Sequence, residues 1–152
     1  MKNYKNSLLL LLLSFILSGT VTSAEPIYDN RISLGFTEEE KAGFLSEMRQ
    51  MLTSIQGVIL GIGTDDRELI INSARYSGNR MARATPASIK QKTPPSFKEM
   101  GGPTHMKFEE LVVLAETDDL DMLAKLTGEL MKNCLACHAA FKVDWILKLS
   151  VQ

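Results

Sequence analysis

Residues 118–147, DDLDMLAKLTGELMKNCLACHAAFKVDWIL, form the most regular segment of this chain and indicate its fold class. Its apolar residues recur at steps of three and four, the spacing that places them on one face of an α-helix. Asp118 and Asp119 stand just before this stripe, where acidic side chains favour the start of a helix. The spacing therefore predicts a long helix over 118–147 whose apolar face other helices must cover. The stripe consists of Leu120, Leu123, Leu126, Leu130, Cys134, Cys137, His138, Phe141 and Trp145.

Three further helices are predicted upstream of this one. Thr37 and Glu40 match a capping box ahead of an apolar stripe that predicts a helix over 37–61, with glycines at its end. Similar stripes predict a second helix over 65–83 and a third over 104–116. Amphipathic helices joined by short, long and short links predict an all-α protein, an antiparallel four-helix bundle.

The segments between the predicted helices are expected to lack regular structure. Residues 85–104 contain four of the five prolines, so a long connector is expected there, lying along the bundle with one turn near Phe97. Residues 25–36 show no periodicity and predict a loose lead-in. No segment alternates apolar and polar residues over a useful length, which is the pattern that would predict a β-strand.

The N-terminal residues have the pattern of a secretory signal peptide. Lys2 and Lys5 precede a short apolar run, and small residues follow it up to Ala24. The run is shorter than the roughly 20 apolar residues that span a bilayer. We therefore expect residues 1–24 to be removed on export to the periplasm, leaving residues 25–152 as a single domain without a membrane anchor.

Composition excludes several classes of protein. The chain has 152 residues, 45% of them apolar and 23% charged, which suits one domain with a real core. A net charge of −1 and a pI near 6.1 provide no basic surface for nucleic acid. Two cysteines are too few for a disulfide scaffold or a four-thiolate zinc site.

One motif in the last helix carries chemistry. Cys134-Leu135-Ala136-Cys137-His138 is a C-x-x-C-H sequence, the attachment signature of c-type haem. On a helix, residues at i, i+3 and i+4 share a face, so the two thiols and the imidazole are presented together. The motif predicts one covalently bound haem c per chain. Cys134 and Cys137 are its thioether tethers, and His138 is the proximal iron ligand.

Three other uses of these side chains are open on the sequence. A thioredoxin-like dithiol would make the chain a thiol–disulfide oxidoreductase, although such pairs sit at a helix N-terminus after a strand, and this one lies well inside a helix. A zinc site could combine Cys134, Cys137 and His138 with His105, although adjacent ligands at 137 and 138 fit one tetrahedral centre poorly. A disulfide within one helical turn has unfavourable geometry.

The position of the motif resembles that of the cytochrome c-prime family. Most c-type cytochromes carry C-x-x-C-H near the N-terminus, whereas this family carries it on the last helix of a four-helix bundle. The segment CLACHAAFK at 134–142, with its trailing Phe141 and Lys142, matches that placement. The resemblance covers residues 37–145 and is closest to the low-spin, methionine-ligated members. It also implies that two copies can pair as a homodimer through their first two helices.

The resemblance further implies a distal residue on the first helix, facing the iron. Matching the stripes puts Met48 there, with Met51 one turn later and His105 as a third candidate. A thioether ligand raises the reduction potential and favours electron transfer, but Met is also a common core filler on apolar helical faces. Phe44 stands where the family usually has Arg. Candidate partners for the haem propionates are Lys142, Arg49 and Arg75.

These features predict a periplasmic one-electron carrier that exchanges electrons with a redox partner protein. No catalytic residues are expected, because the sequence offers no nucleophile–base pair. Within the family, the alternative is a five-coordinate haem that binds nitric oxide or carbon monoxide.

Overall fold

The computed structural model of the protein describes residues 28–144, and most of these residues are helical. The predicted all-α class is confirmed. The signal peptide predicted over 1–24 and the aromatic Trp145 lie outside the described residues. The helices are α1 (Glu38–Thr64), α2 (Arg67–Ser77), α3 (Asn79–Ala84), α4 (Ala87–Lys92), α5 (Pro95–Leu114) and α6 (Leu120–Ala140), and the short strands are β1 (Ile32–Ser33) and β2 (Phe141–Lys142).

The predicted capping box opens α1. The Thr37 hydroxyl accepts a hydrogen bond from the Glu40 amide, and the Glu40 carboxylate accepts one from the Thr37 amide at 2.9 Å. The helix continues past Gly61, its expected end, to Thr64, where Asp65 takes the left-handed conformation with φ 53°. Gly61 serves close packing instead, because a Cβ there would lie 2.7 Å from Cγ1 of Ile70 on α2.

The helix predicted over 65–83 is divided in two at Gly78. This residue has extended backbone that ends α2, and α3 starts at the next residue. The Glu109 carboxylate on α5 accepts a hydrogen bond from the Asn79 amide at 2.7 Å and so caps α3 from outside. Apolar periodicity cannot reveal this break, because the capping group comes from another helix.

The expectation of a long connector over 85–104 is wrong. The segment forms α4 and the first turns of α5, which begins at Pro95 and not at Thr104. Proline is tolerated in the first turn of a helix, where its missing N–H would have no partner. Thr104, expected as a cap, lies inside α5 and donates its hydroxyl to the Met100 carbonyl at 2.8 Å.

The helix predicted over 118–147 starts as expected and ends earlier. Asp119 caps it by accepting from the Met122 amide at 2.8 Å, and the helix ends at Ala140. Strand β2 follows and pairs in parallel with β1, opposing Ile32 to Phe141 and Ser33 to Lys142. The lead-in expected to be loose is therefore attached to the far end of α6.

The four long helices pack as neighbours. Helix α1 lies against α2, α2 against α5, α5 against α6, and α6 against α1, the last of these being the least extensive contact. The Arg67 guanidinium donates to the carbonyls of Ala115 and Asp118, both at 2.8 Å, and so satisfies the end of α5. No helix within residues 28–144 is long and apolar enough to cross a membrane. The main core contains Met51, Ile55, Val58, Ile70, Phe108, Leu111, Leu123 and Leu130.

Candidate functional site

The C-x-x-C-H residues lie in the last turns of α6. Both cysteine side chains are half-buried, whereas the His138 side chain is exposed. The Cys134 Sγ donates to the Leu130 carbonyl at 3.5 Å, and both cysteines are free thiols. The His138 carbonyl accepts a hydrogen bond from Arg31 Nη1 at 3.3 Å. The helix thus presents two thiols and one imidazole side by side, as the motif predicts.

Burial raises the pKa of both thiols. For Cys134 the loss of solvent is the main cause, and for Cys137 the neighbouring Cys134 raises the pKa further. Dithiol oxidoreductases need the opposite shift, because the thiolate is the attacking species. The direction of the pKa shift is therefore opposite to the one that activates a dithiol.

A compact group of aromatic and aliphatic residues lies beside Cys137. We call it the phenylalanine cluster. Three ring pairs connect it, Phe36–Phe44 at 5.1 Å, Phe44–Phe97 at 5.9 Å and Phe97–Phe141 at 5.3 Å between centroids. These contacts join the four rings into one apolar cluster beside Cys137. Its buried members are Leu34, Phe36, Phe44, Ile89 and Phe141, and Met48, Phe97, Met100, Cys137, Ala140 and Val143 pack against them.

Of the predicted distal candidates, only Met48 is placed beside this cluster. Its half-buried side chain packs against both the phenylalanine cluster and the main core, so it lies at the boundary between them. Met51, with 9% of its surface exposed, belongs to the main core. His105 is within α5, and its Nδ1 lies 2.7 Å from the Ser77 carbonyl of α2. The structure therefore brings Met48, and not Met51 or His105, to the cluster that Cys137 contacts.

A second methionine in the same cluster was missed by the sequence analysis. Met100 is half-buried on α5 and packs against the phenylalanine cluster, as Met48 does from α1. It falls in the segment expected to be a connector, so no helical face was assigned to it. Its spacing of three residues from Phe97 was the available signal.

Helix α1 carries uncovered apolar side chains on the flank away from α2. Ser54 bonds to Ser77 at 2.8 Å and Gly61 touches Ile70, which identifies the side of α1 that faces α2. At about 100° per residue, Met48, Leu52 and Ile59 lie within about 40° of one another on the other flank. Leu52 is 70% exposed and Ile59 is 52% exposed.

Helix α6 also has exposed apolar side chains on one flank. Glu129 pairs with Lys107 of α5 at 3.7 Å, and His138 lies on roughly the opposite side of the helix. Met131 and Leu135, on the same flank as His138, are 43% and 68% exposed. Because α6 packs only loosely against α1, both flanks border what we call the α1–α6 seam. Exposed large apolar side chains are therefore present on both helices, on the flanks that face neither α2 nor α5.

The candidate partners of the haem propionates lie at the surface or in an ion pair. Lys142 forms an ion pair with Asp144 at 3.5 Å, whereas Arg49 and Arg75 have exposed side chains. Phe44 is buried in the phenylalanine cluster.

The structure does not assemble the zinc site considered above. Within the described part of the chain, no group of three or more His, Cys, Asp or Glu side chains is arranged to hold a metal ion by itself. The His105 ring contacts the end of α2, while the cysteines are on α6.

Comparison with known proteins returned no match. No family model, no curated protein and no solved structure is similar enough to this chain to be reported as a relative.

Proposed function

We propose that this chain is a periplasmic c-type cytochrome that carries single electrons on one haem c. In this proposal α1, α2, α5 and α6 form an antiparallel four-helix bundle, and the haem lies in the α1–α6 seam. One observation carries the proposal. Cys134, Cys137 and His138 share the end of α6 at the edge of a seam bordered by exposed apolar side chains.

The donor set suits covalent attachment. Each thiol adds across one vinyl group, so that an S–C bond forms and the thiol hydrogen ends on the neighbouring vinyl carbon, without an oxidant. Cys134 and Cys137 are free thiols and half-buried, so their sulfurs are available and are held by the helix. The exposed His138 side chain is one residue beyond the second tether, where an imidazole can reach the iron.

When bound, haem c supplies a one-electron couple between Fe(III) and Fe(II). The chain supplies the surroundings that tune it. Leu52, Ile59, Met131 and Leu135 are exposed in the structure and would cover the haem edge once it is bound, and a drier site would favour the less charged reduced state. Met48 is the residue that we propose as the sixth ligand, since its thioether lies beside the cluster that Cys137 contacts.

The raised thiol pKa values weigh against the thiol–disulfide oxidoreductase. Haem attachment, in contrast, consumes both thiols once and needs no standing thiolate. A five-coordinate gas-binding haem differs from the electron carrier only in whether Met48 reaches the iron, so the same experiment separates these two.

The test is expression of the full chain in a bacterial host competent in cytochrome c maturation. Mass spectrometry of the exported protein should show residues 25–152 plus one haem. The visible spectrum should be that of low-spin iron, and the spectrum of the reduced protein should not change when carbon monoxide is added. The matched control is Cys134→Ser/Cys137→Ser, which should be exported without haem. A bare polypeptide mass for the wild type would overturn the proposal. A high-spin spectrum that shifts with nitric oxide or carbon monoxide would replace the electron carrier with the gas binder.

A further inference from the structure

The charged residues of the chain are unevenly distributed along it. The chain has 17 Lys and Arg residues and 18 Asp and Glu residues, yet residues 69–98 contain six of the basic residues and none of the acidic ones. This segment forms most of α2, all of α3 and α4, and the start of α5. The net charge of −1 therefore conceals one strongly basic segment in a chain that is otherwise acidic.

Four of these six cations lie on neighbouring elements at the surface, and we call them the basic face. They are Arg80 and Arg83 on α3, Lys90 on α4 and Lys98 in the first turn of α5, and all four side chains are exposed. The Lys90 ammonium donates to the Arg83 carbonyl at 3.1 Å, which joins α4 to α3. Lys98 lies on the same flank of α5 as Glu109, which caps α3, because eleven residues bring a helix back to within about 20°.

Three of the four cations have no acidic partner. Within residues 28–144, Arg80, Arg83 and Lys98 take part in no ion pair. Lys90 acts on one carboxyl, that of the half-buried Glu47 on α1, whose pKa burial raises and the charge of Lys90 lowers. The basic face therefore keeps most of its positive charge available to another molecule.

The basic face stands at the end of the molecule that carries the C-x-x-C-H motif. Ile89, the neighbour of Lys90, is 3% exposed and belongs to the phenylalanine cluster. Phe97, the neighbour of Lys98, packs against the same cluster, and so does Cys137. One apolar cluster therefore supports both the basic face and a tether of the proposed haem.

We propose that the basic face is the docking surface for an acidic protein that exchanges electrons with this chain. The redox part of this inference rests on the proposed function, whereas the complementarity of charge does not. Opposite charges speed the encounter of two proteins and orient them, which suits a carrier that must meet and leave its partner quickly. The acidic remainder of the chain repels the same partner, so encounters are directed to the end that carries Cys137.

The chemistry of the basic face favours a protein over a bilayer or a nucleic acid. Segments that bind anionic bilayers insert apolar side chains among their basic ones. The large apolar residues of α3 and α4 turn inward instead, since Ile89 is buried and Met81 packs against the main core. The first turn of α1, with three glutamates, adjoins α4 through the pair of Glu40 with Lys92. An extended bilayer or duplex would meet these carboxylates, whereas a compact acidic protein can contact the basic face alone.

The first experiment measures binding of a short oligoglutamate peptide to the exported wild-type chain by calorimetry at low salt. Reversing two charges in Arg80→Glu/Arg83→Glu should raise the dissociation constant about tenfold or more. The matched control is Lys125→Glu/Lys132→Glu, which reverses two exposed charges on α6 and should raise it less than about threefold. Wild-type binding should vanish at about 1 M salt, where charges are screened within about 3 Å.

A milder variant covers the case in which Arg80→Glu/Arg83→Glu does not accumulate as folded protein. Arg83→Gln/Lys98→Gln removes two charges of the basic face without introducing new ones. It should raise the dissociation constant for the peptide severalfold, and the control then becomes Lys125→Gln/Lys132→Gln.

The second experiment reads the redox role of the basic face. Hexacyanoferrate(III), an anionic oxidant, takes one electron from the reduced holoprotein, which leaves Fe(III) haem. At low salt the second-order rate constant should be severalfold smaller in Arg80→Glu/Arg83→Glu than in Lys125→Glu/Lys132→Glu. The difference should disappear at high salt.

The outcomes separate this inference from the proposed function. Equal weakening of peptide binding by both double variants would overturn the docking surface, because the effect would then follow total charge. Tighter binding to phosphatidylglycerol vesicles or duplex DNA than to the peptide, lost in Arg80→Glu/Arg83→Glu, would replace the acidic protein with a membrane or a nucleic acid. Equal oxidation rates in the two double variants would overturn the redox role of the face. A wild-type chain that binds the peptide at this face but carries no haem would overturn the proposed function and leave the docking surface standing.

Discussion

Met48 and Met51 are less than one helical turn apart on α1, yet their surroundings differ. Met51 is 9% exposed and is surrounded by the main core, so its role there is to fill space. Met48 is half-buried at the edge of that core, beside the cluster that Cys137 contacts. A sulfur at a core boundary can turn toward a neighbouring group, whereas a sulfur inside the core cannot do so without leaving a cavity.

We predict that Met48→Ala converts the haem protein from six-coordinate low-spin to high-spin iron and lowers its reduction potential. The thioether ligand stabilises Fe(II), and its loss opens the distal position. The visible spectrum and a redox titration measure both effects.

Met51→Ala is the matched control. It should leave the spectrum unchanged and lower the free energy of unfolding by about 2–4 kcal/mol through the cavity it leaves. An unchanged spectrum in Met48→Ala would reject this ligand, and loss of the low-spin spectrum in Met100→Ala would identify Met100 in its place.

The two thiols should also be unreactive in the haem-free chain. Burial raises the pKa of Cys134 and Cys137, so the thiolate fraction at neutral pH is smaller than in an unfolded chain. Alkylation by iodoacetamide at pH 7.5 should be severalfold slower than in the same protein unfolded in urea, and should accelerate only above the usual thiol pKa of about 8.5. Rapid alkylation of the folded chain at pH 6 would contradict this expectation and favour a reactive dithiol.

At the scale of elements, helices α1 and α2 meet at a close contact that a glycine permits. A Cβ on Gly61 would lie 2.8 Å from the Asp66 carbonyl oxygen and 2.7 Å from Ile70 Cγ1. The carbonyl is backbone and cannot swing away. We predict that Gly61→Ala lowers the free energy of unfolding by about 1–3 kcal/mol despite the higher helix propensity of Ala. Gly43→Ala on the same helix meets nothing within 4 Å, and urea unfolding should show it stabilised by about 0.5–1 kcal/mol.

The start of α1 should make stability depend on acidic pH. The Lys92 ammonium, 2.5 Å from Glu40 Oε2, and the Thr37 amide lower the pKa of Glu40 from 4.5 to about 2. A carboxyl whose pKa falls on folding stabilises the fold above its unfolded pKa, and this contribution is lost as pH falls from about 4.5 to about 2. The unfolding free energy of wild type minus that of Glu40→Gln should therefore shrink across this range. Glu39→Gln, the same charge change one residue away, should show a smaller change with pH.

At the scale of the whole molecule, the α1–α6 seam leaves apolar surface uncovered. Leu52, Ile59 and Leu135 each have more than half of their surface exposed. A haem in the seam would remove this surface from water and stabilise the folded state. We predict that exported Cys134→Ser/Cys137→Ser melts at least about 5 °C below the wild type, as an effect of a few kcal/mol would require. Haem-free wild-type chain made in the cytoplasm is the control and should melt with the double variant. Equal melting of loaded and haem-free protein would place the haem outside the seam.

An element could be predicted from the sequence when the residues that fix its ends lie close to it in the chain. The Thr37–Glu40 capping box and the cap at Asp119 were predicted correctly, because each depends on residues within one turn of a helix. The start of α5 at Pro95 was not predicted, since prolines suggest a break even where the first turn of a helix accepts them.

Local sequence patterns were enough to predict the helical class and to place Cys134, Cys137 and His138 on one helix. Both follow from periodicity and from residues three or four apart, which the helix brings together whatever surrounds it. The tertiary structure decided the rest. The break at Gly78 depends on Glu109 from another helix, and the pairing of residues 31–34 with the end of α6 joins segments more than a hundred residues apart. Met48 packs against both clusters and Met51 belongs to the main core alone, a difference that also depends on tertiary packing. Such contacts join residues that are far apart in the sequence and depend on how the helices pack, so local sequence patterns cannot predict them.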